Sequence, residues 1–124
     1  MEVVKTNQIS PILKDERGLF FEVVNKIDVK HIVVTTFTKG AIRGNQYHKN
    51  MDQYFFLISG KLKLITQLVN KNTKKENFLT QGIMAYIPRG IAFVSVAEEE
   101  SILLEFSPQE YDPNNPDINR FTIV

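Results

Sequence analysis

The 124-residue sequence contains no cysteine, which removes disulfides, thiolate metal ligands and cysteine nucleophiles from the chemistry open to it. It has no tryptophan and only two histidines, His31 and His48, so a side chain that titrates near neutrality is available at two positions only. Charge of one sign is also lacking: fifteen Lys and Arg stand against fourteen Asp and Glu, a formal +1. That balance exerts no general pull on a polyanion, and no nucleic-acid partner is expected. No segment approaches the ~20 apolar residues of a membrane-crossing helix, so no membrane partner is expected. The start, "MEVVKTNQISPILKDERG", has neither the apolar centre of a signal peptide nor an Arg-rich amphipathic presequence, and the expectation is a soluble, cytoplasmic protein with no leader. Nor does any stretch hold a helical apolar period for ten residues.

What is present is strand-forming material. Nine Phe and four Tyr within a 43% hydrophobic composition supply bulky core side chains, and a chain of this length buries a core as one domain, residues 1–124. Short β-branched and aromatic runs recur: "FFEVV", "HIVVTTF", "QYFFLIS", "KLKLITQLV", "MAYIP", "AFVSVA" and "SILLEF". Between them lie turn formers such as "DERG", "TKG", "PRG" and the polar "NKNTKKEN", expected as a loop at a hairpin tip. Strands at this spacing predict an all-β sandwich or barrel. In "KLKLITQL", Lys61 and Lys63 alternate with Leu62 and Leu64, giving one wet face and one packed face as in a jelly roll. The Pro- and Asn-rich tail "YDPNNPDINRFTIV" is expected to wrap the surface before a last short strand.

Chemistry-bearing residues concentrate in "IRGNQYHKNMDQYFFLISGKL", Ile42 to Leu62. If this strand is regular, residues 44, 46 and 48 share a face, so Gln46 and His48 both point at one pocket. His48 could serve as a base there or sit as a hydrogen-bonded core histidine, whereas His31, outside this stretch, is read as structural. Gln46 can hydrogen-bond a hydroxyl or carbonyl but cannot take a proton. Glu105, inside "SILLEF", is a candidate acid if buried and an ordinary edge-strand glutamate if not. Arg17 and Arg43 suit phosphate oxygens through their bidentate guanidinium forks, or else make surface ion pairs.

These stretches resemble the cupin superfamily. The spacing from His48 through Gln53 to Gly60 matches the later part of its first motif, and Gly82, Pro88 and Gly90 in "GIMAYIPRG" match the start of its second. Gln46, Gln53 and Phe93 stand where cupins carry histidine, glutamate and histidine ligands. An imidazole with two neutral amides is a poor transition-metal cage, so no metal and no cofactor is expected. Within the superfamily, "DERGLFFEVV" and "KGAIRGNQYHK" resemble the sugar-nucleotide branch: the dTDP-4-dehydrorhamnose 3,5-epimerases and the shorter WxcM-like dTDP-4-keto-6-deoxyhexose 3,4-ketoisomerases. The resemblance implies a single-domain cupin jelly-roll barrel that acts as a metal-independent isomerase or epimerase on a nucleotide-linked, dTDP-type 4-keto-6-deoxy sugar in deoxysugar or surface-polysaccharide synthesis. It implies His48 and Glu105 as catalytic residues, and Arg17, Arg43, Gln46, Tyr47, Lys49 and Gln53 as substrate-binding residues. It further implies a homodimer formed by strand exchange, with Arg17 reaching the other subunit's site. The loss of the histidine at Gln46 leaves open a non-catalytic cupin that binds a sugar nucleotide; a metal-dependent oxygenase or hydrolase on the same fold is disfavoured by the missing ligands.

Overall fold

The computed structural model describes residues 4–124; Met1, Glu2 and Val3, the head of the stretch read for a leader, lie outside the described residues. The described chain is all-β. One five-stranded antiparallel sheet runs in the order β1 (Lys5–Gln8), β9 (Ile83–Ile87), β6 (Gln53–Ser59), β11 (Ser101–Ser107), β4 (His31–Phe37). A second runs β12 (Asn119–Arg120), β5 (Ile42–Tyr47), β10 (Ile91–Ala97), β7 (Leu62–Leu68), β8 (Lys74–Leu79). A two-stranded hairpin, β2 (Leu13–Asp15) with β3 (Gly18–Phe20), stands apart from both. The two large sheets pack as the jelly roll of the cupin fold.

The alternation read from "KLKL" explains how the sheets meet. Leu62 and Leu64 are fully buried while Lys61 and Lys63 are not, and Phe55, Leu57, Leu79 and Leu103 join them in the core between the sheets. Each such side chain contributes about 1.5–3 kcal/mol of burial. The outer face of the second sheet is covered by the tail: Phe121 and Ile123 pack against Tyr47, Ile65 and Val94. The outer face of the first is covered in part by the segment after β3, where Phe21 meets Phe56 edge to face at 5.7 Å. No described helix is long and apolar enough to cross a membrane.

Two expected elements differ. "FFEVV" is not a strand beyond Phe20, because Phe21 and Val23 pack down onto Phe56, Met84 and Phe106 while their backbone joins no sheet. "NKNTKKEN" is not all loop: β8 begins at Lys74, paired with Gln67, and continues β7's hairpin out to Leu79 opposite Leu62. Its lysines tolerate strand geometry because β8 is an edge strand with one side in water.

Candidate active site

The site begins with an irregularity in β5. Gln46 lies opposite Phe93 and Gly44 opposite Val94, so Asn45 is an extra residue, a bulge. The backbone is left-handed at Gly44 (φ 117°) and Asn45 (φ 57°), a conformation that glycine adopts freely and asparagine better than most residues. Asn45 is held there by the tail. Its Oδ1 accepts from the amides of Ile123 at 2.8 Å and Val124 at 3.1 Å, and its Nδ2 donates to the Val124 carbonyl at 3.1 Å. Gln46, next in line, reaches the space between the sheets.

That space is a cavity of about 250 Å³ with two unlike walls. The first sheet supplies Thr35, Phe37, Phe55, Leu103 and Glu105; the second supplies Arg43, Gly44, Gln46, Phe93 and Ser95. Glu105 is therefore not an edge-strand residue: β11 lies between β6 and β4, and Glu105 faces inward. Burial pushes its carboxyl above the ordinary range, opposed by the Thr35 hydroxyl and by the charges of His48, Arg43 and His31. The Thr35 hydroxyl donates to Glu105 Oε2 at 2.5 Å, which orients the carboxyl within the cavity wall. On the opposite wall the Arg43 guanidinium donates to the Thr36 carbonyl at 3.3 Å and lies 5.5 Å from the Phe37 ring centre.

His48 follows β5 and is 93% buried, being 7% exposed, but it does not line the cavity. Its Nδ1 meets the Asp117 carbonyl at 2.5 Å, and its Nε2 meets Gln53 Nε2 at 3.2 Å. A carbonyl can only accept, so Nδ1 carries a proton and donates to it, while Nε2 is paired with the Gln53 side-chain amide. With both nitrogens engaged, and with Gln46, Gln53 and Phe93 in the remaining cupin ligand positions, the donor set does not fit a transition metal. Among the described residues no group of three or more His, Asp or Glu is placed to hold one.

The remaining sequence candidates separate from the cavity. Tyr47 points to the outer face, edge to face with Phe121 at 6.4 Å. Lys49 is exposed, and its main-chain amide, not its side chain, is tied down, donating to Asp117 Oδ1 at 2.8 Å. Arg17 sits on the β2–β3 hairpin, paired with Asp15 at 2.6 Å, and lines no part of this cavity. His31 stacks on Tyr111 at 5.2 Å. The polar cavity residues that sequence reasoning missed are Thr35 and Ser95, ordinary strand residues in "HIVVTTF" and "AFVSVA", with no local signal to mark them. A wider hollow of about 570 Å³ at the far end includes Lys30, Met51, Gln109 and Asp117. Its Gln109 is committed to Asp52 and its Asp117 to backbone amides.

Asp117 was also missed, and it pins the loop beyond His48 by accepting from the amides of Lys49 and Asn50 at 2.8 and 2.6 Å. Burial alone would raise its carboxyl, but those two amides, with His48 and Asn119, hold it below the ordinary range. A depressed carboxylate stabilises the fold above its unfolded pKa, and that contribution is lost as pH falls through the folded value. Asp117→Ala is therefore expected to cost about 1–3 kcal/mol at pH 7, the cost of orphaned hydrogen-bond partners. The difference from wild type should shrink at pH 3, as read by urea denaturation at both pH values.

Comparison with known proteins places this geometry. A family model described as polysaccharide biosynthesis C-terminal domain matches residues 13–119. Among solved structures, the sugar 3,4-ketoisomerase QdtA from Thermoanaerobacterium thermosaccharolyticum, in complex with TDP, superposes with a TM-score of 0.80 at 22% identity, over 94% of this chain and 87% of that one. The dTDP-4-dehydrorhamnose 3,5-epimerase from Sulfolobus tokodaii gives 0.73 at 24% identity, over 83% of this chain and 69% of that one. The capsular polysaccharide assembling protein CapF from Staphylococcus aureus gives 0.73 at 21% identity; it covers 99% of this chain, which spans only 34% of the CapF chain. No curated protein matches the sequence significantly.

Proposed function

We propose, from the premise that the chain belongs to the polysaccharide biosynthesis C-terminal domain family, that it is a metal-independent isomerase or epimerase of a nucleotide-linked 4-keto-6-deoxy sugar, acting as one cupin domain. The observation that carries this is the Glu105–Thr35 pair facing Arg43 and Gln46 across the cavity. Moving or inverting a centre beside a ketone requires a base for the carbon-bound proton and donors for the enolate oxygen. Glu105 is the base, made more basic by its burial; Thr35 orients it. Gln46, through its amide N–H, and Arg43, through its guanidinium, are the donors to the oxygen. Phe37, Phe55 and Phe93 exclude water from the enolate. Proteins with this fold include those described as acting on or holding TDP-linked sugars, which supports a dTDP sugar as the ligand. The test is incubation with TDP-4-keto-6-deoxyglucose in deuterated water, followed by NMR; deuterium entering beside the carbonyl is the expected result.

A second reading, a non-catalytic sugar-nucleotide binder, is favoured by one observation: His48 Nε2 is engaged by the Gln53 side chain at 3.2 Å. Tight binding of the same sugar nucleotide without any exchange is its signature. Under either reading Arg43→Ala is expected to weaken nucleotide-sugar binding by about 1.5–3 kcal/mol, the value of a hydrogen bond to a charged group, measured by calorimetry.

The proposal extends to a homodimer, with Arg17 of a second copy near the mouth of the site. β4 supports it: an edge strand of seven residues, "HIVVTTF", with no proline or lysine to discourage pairing and with Ile32 and Val34 57% and 62% exposed. Sedimentation should show a dimer at micromolar concentration, and Val34→Lys should shift it to monomer.

A further inference from the structure

We infer that Asn45, clamped by the C-terminal tail, is the positioning residue that turns Arg43 and Gln46 into the same cavity. This deepens the isomerase reading and rests on it, because it takes those two side chains as donors to the ligand. Arg43 and Gln46 both line the cavity, yet they are three residues apart, and side chains three apart on a regular strand face opposite ways. The pairing with β10 shows how that parity is broken. Gln46 lies opposite Phe93 and Arg43 opposite Ser95, and both Phe93 and Ser95 face inward. One step along β10, from Phe93 to Val94, matches two along β5, from Gln46 to Gly44, and the surplus residue is Asn45. Were Asn45 to enter the ladder as an ordinary strand residue, every side chain on one side of it would change face. Either Arg43 or Gln46 would then leave the cavity.

What keeps Asn45 out of the ladder is the far end of the chain. A left-handed backbone, here φ 57°, is costly for a residue with a Cβ, and asparagine takes it when its side chain gains hydrogen bonds in return. Those bonds come from the tail: the Asn45 side chain accepts from the Ile123 and Val124 amides and donates to the Val124 carbonyl. Its own carbonyl accepts from the Phe121 amide at 2.9 Å. The tail is fastened independently of Asn45. Asn119 pairs with Tyr47, Phe121 and Ile123 pack against Tyr47, Ile65 and Val94, and Lys74 Nζ donates to the Ile123 carbonyl at 2.9 Å. None of residues 119–124 lines the cavity. The tail therefore governs, from the outer face of the second sheet, which side chains stand on its inner face.

The experiment compares two variants of the full chain that lose the same clamp. Asn45→Val removes the side-chain bonds and puts a β-branched residue where a left-handed backbone is least tolerated, so residue 45 should enter the ladder opposite Phe93. Deletion of Asn45 removes the same bonds, but it keeps Gly44 opposite Val94 and Gln46 opposite Phe93 with no surplus residue, so both donors still face inward. Affinity for TDP-4-keto-6-deoxyglucose, by calorimetry, should fall at least about tenfold in Asn45→Val, the loss of a hydrogen bond to a charged group. In the deletion it should stay within about threefold of wild type, as for a change away from the ligand. Through-space NMR contacts between β5 and β10 backbone protons, recorded without ligand, should place residue 45 opposite Phe93 in the substitution, with thermal melts showing that each variant is folded. If Asn45→Val does not fold, Asn45→Ala, which loses the same bonds with a smaller backbone penalty, replaces it under the same criteria. Equal affinity in the two variants, whether lost or kept, means a role in stability alone and overturns the inference, as does wild-type pairing in the substituted protein. A wild type that binds no sugar nucleotide overturns the isomerase reading instead, and the ligand-free pairing still decides the role of Asn45.

Discussion

Glu105→Gln is expected to silence the site and, at neutral pH, to make the protein more stable. The substitution keeps the shape of the side chain and an oxygen for the Thr35 hydroxyl, which donates at 2.5 Å, but it removes the group that takes the proton. Loss of at least about two powers of ten in turnover follows, with affinity for the nucleotide sugar nearly unchanged, a kcat effect rather than a KM effect. The gain in stability follows from linkage. Burial raises the Glu105 carboxyl above its ordinary 4.5, so the folded state binds the proton more tightly than the unfolded chain. Stability from that proton is complete below the unfolded pKa and is lost as pH rises through the folded value. Glutamine is neutral at every pH and escapes the loss. The melting temperature of the variant should match wild type near pH 4 and exceed it at pH 8; equal melting temperatures at both would mean that Glu105 is solvated and that the cavity is more open than its walls indicate.

Gly44→Ala is expected to damage stability and binding together, by a route that involves no chemistry. A Cβ at this position would stand 2.8 Å from the Phe93 carbonyl oxygen and 2.9 Å from Val94 Cα, at a φ of +117°. Both neighbours are backbone atoms of the adjoining strand and cannot turn aside as a side chain could. Strain plus collision should cost about 2–4 kcal/mol, read by denaturant unfolding. Gly90 serves as the control, since it has a similar left-handed φ of +85° with nothing within 4 Å of the added carbon. Gly90→Ala should therefore show the conformational cost alone, about 1 kcal/mol. Because Gly44 separates Arg43 from the bulge that carries Gln46, the damaged protein should also lose sugar-nucleotide affinity.

The strands announced by β-branched and aromatic runs were legible: "HIVVTTF", "QYFFLIS", "AFVSVA" and "SILLEF" all form them. β5 was read as a strand, but not as a bulged one: "IRGNQY" is poor in strand formers, is held by its neighbours β10 and β12, and loses its regular alternation at Asn45. β1, "KTNQ", is fully exposed and exists only because β9 offers it an edge. Motif spacing singled out Arg43 and Gln46, which line the cavity, and His48 and Gln53, which do not, but spacing carries no information on what lies across a barrel. Thr35 meets Glu105 and Asp117 meets His48 only after distant strands pair, so neither partner could be read locally. Tyr47 and Gln46 are neighbours in sequence and opposites in space, the ordinary outcome of strand alternation.

The pairing of remote segments also sets a timetable. Lys5 lies opposite Tyr86, His31 opposite Ser107, and Tyr47 opposite Asn119, so most ladders close long loops before any contact rewards them. Such topologies fold on the scale of milliseconds to seconds. The β7–β8 and β2–β3 hairpins can form early, yet neither supplies a cavity residue. The cavity, assembled from residues 35, 37, 43, 44, 46, 55, 93, 95, 103 and 105, exists only once both sheets are complete. In a refolding experiment, affinity for the sugar nucleotide should be the last property to return, later than the far-ultraviolet strand signal, and half-folded chains should carry no partial activity at all.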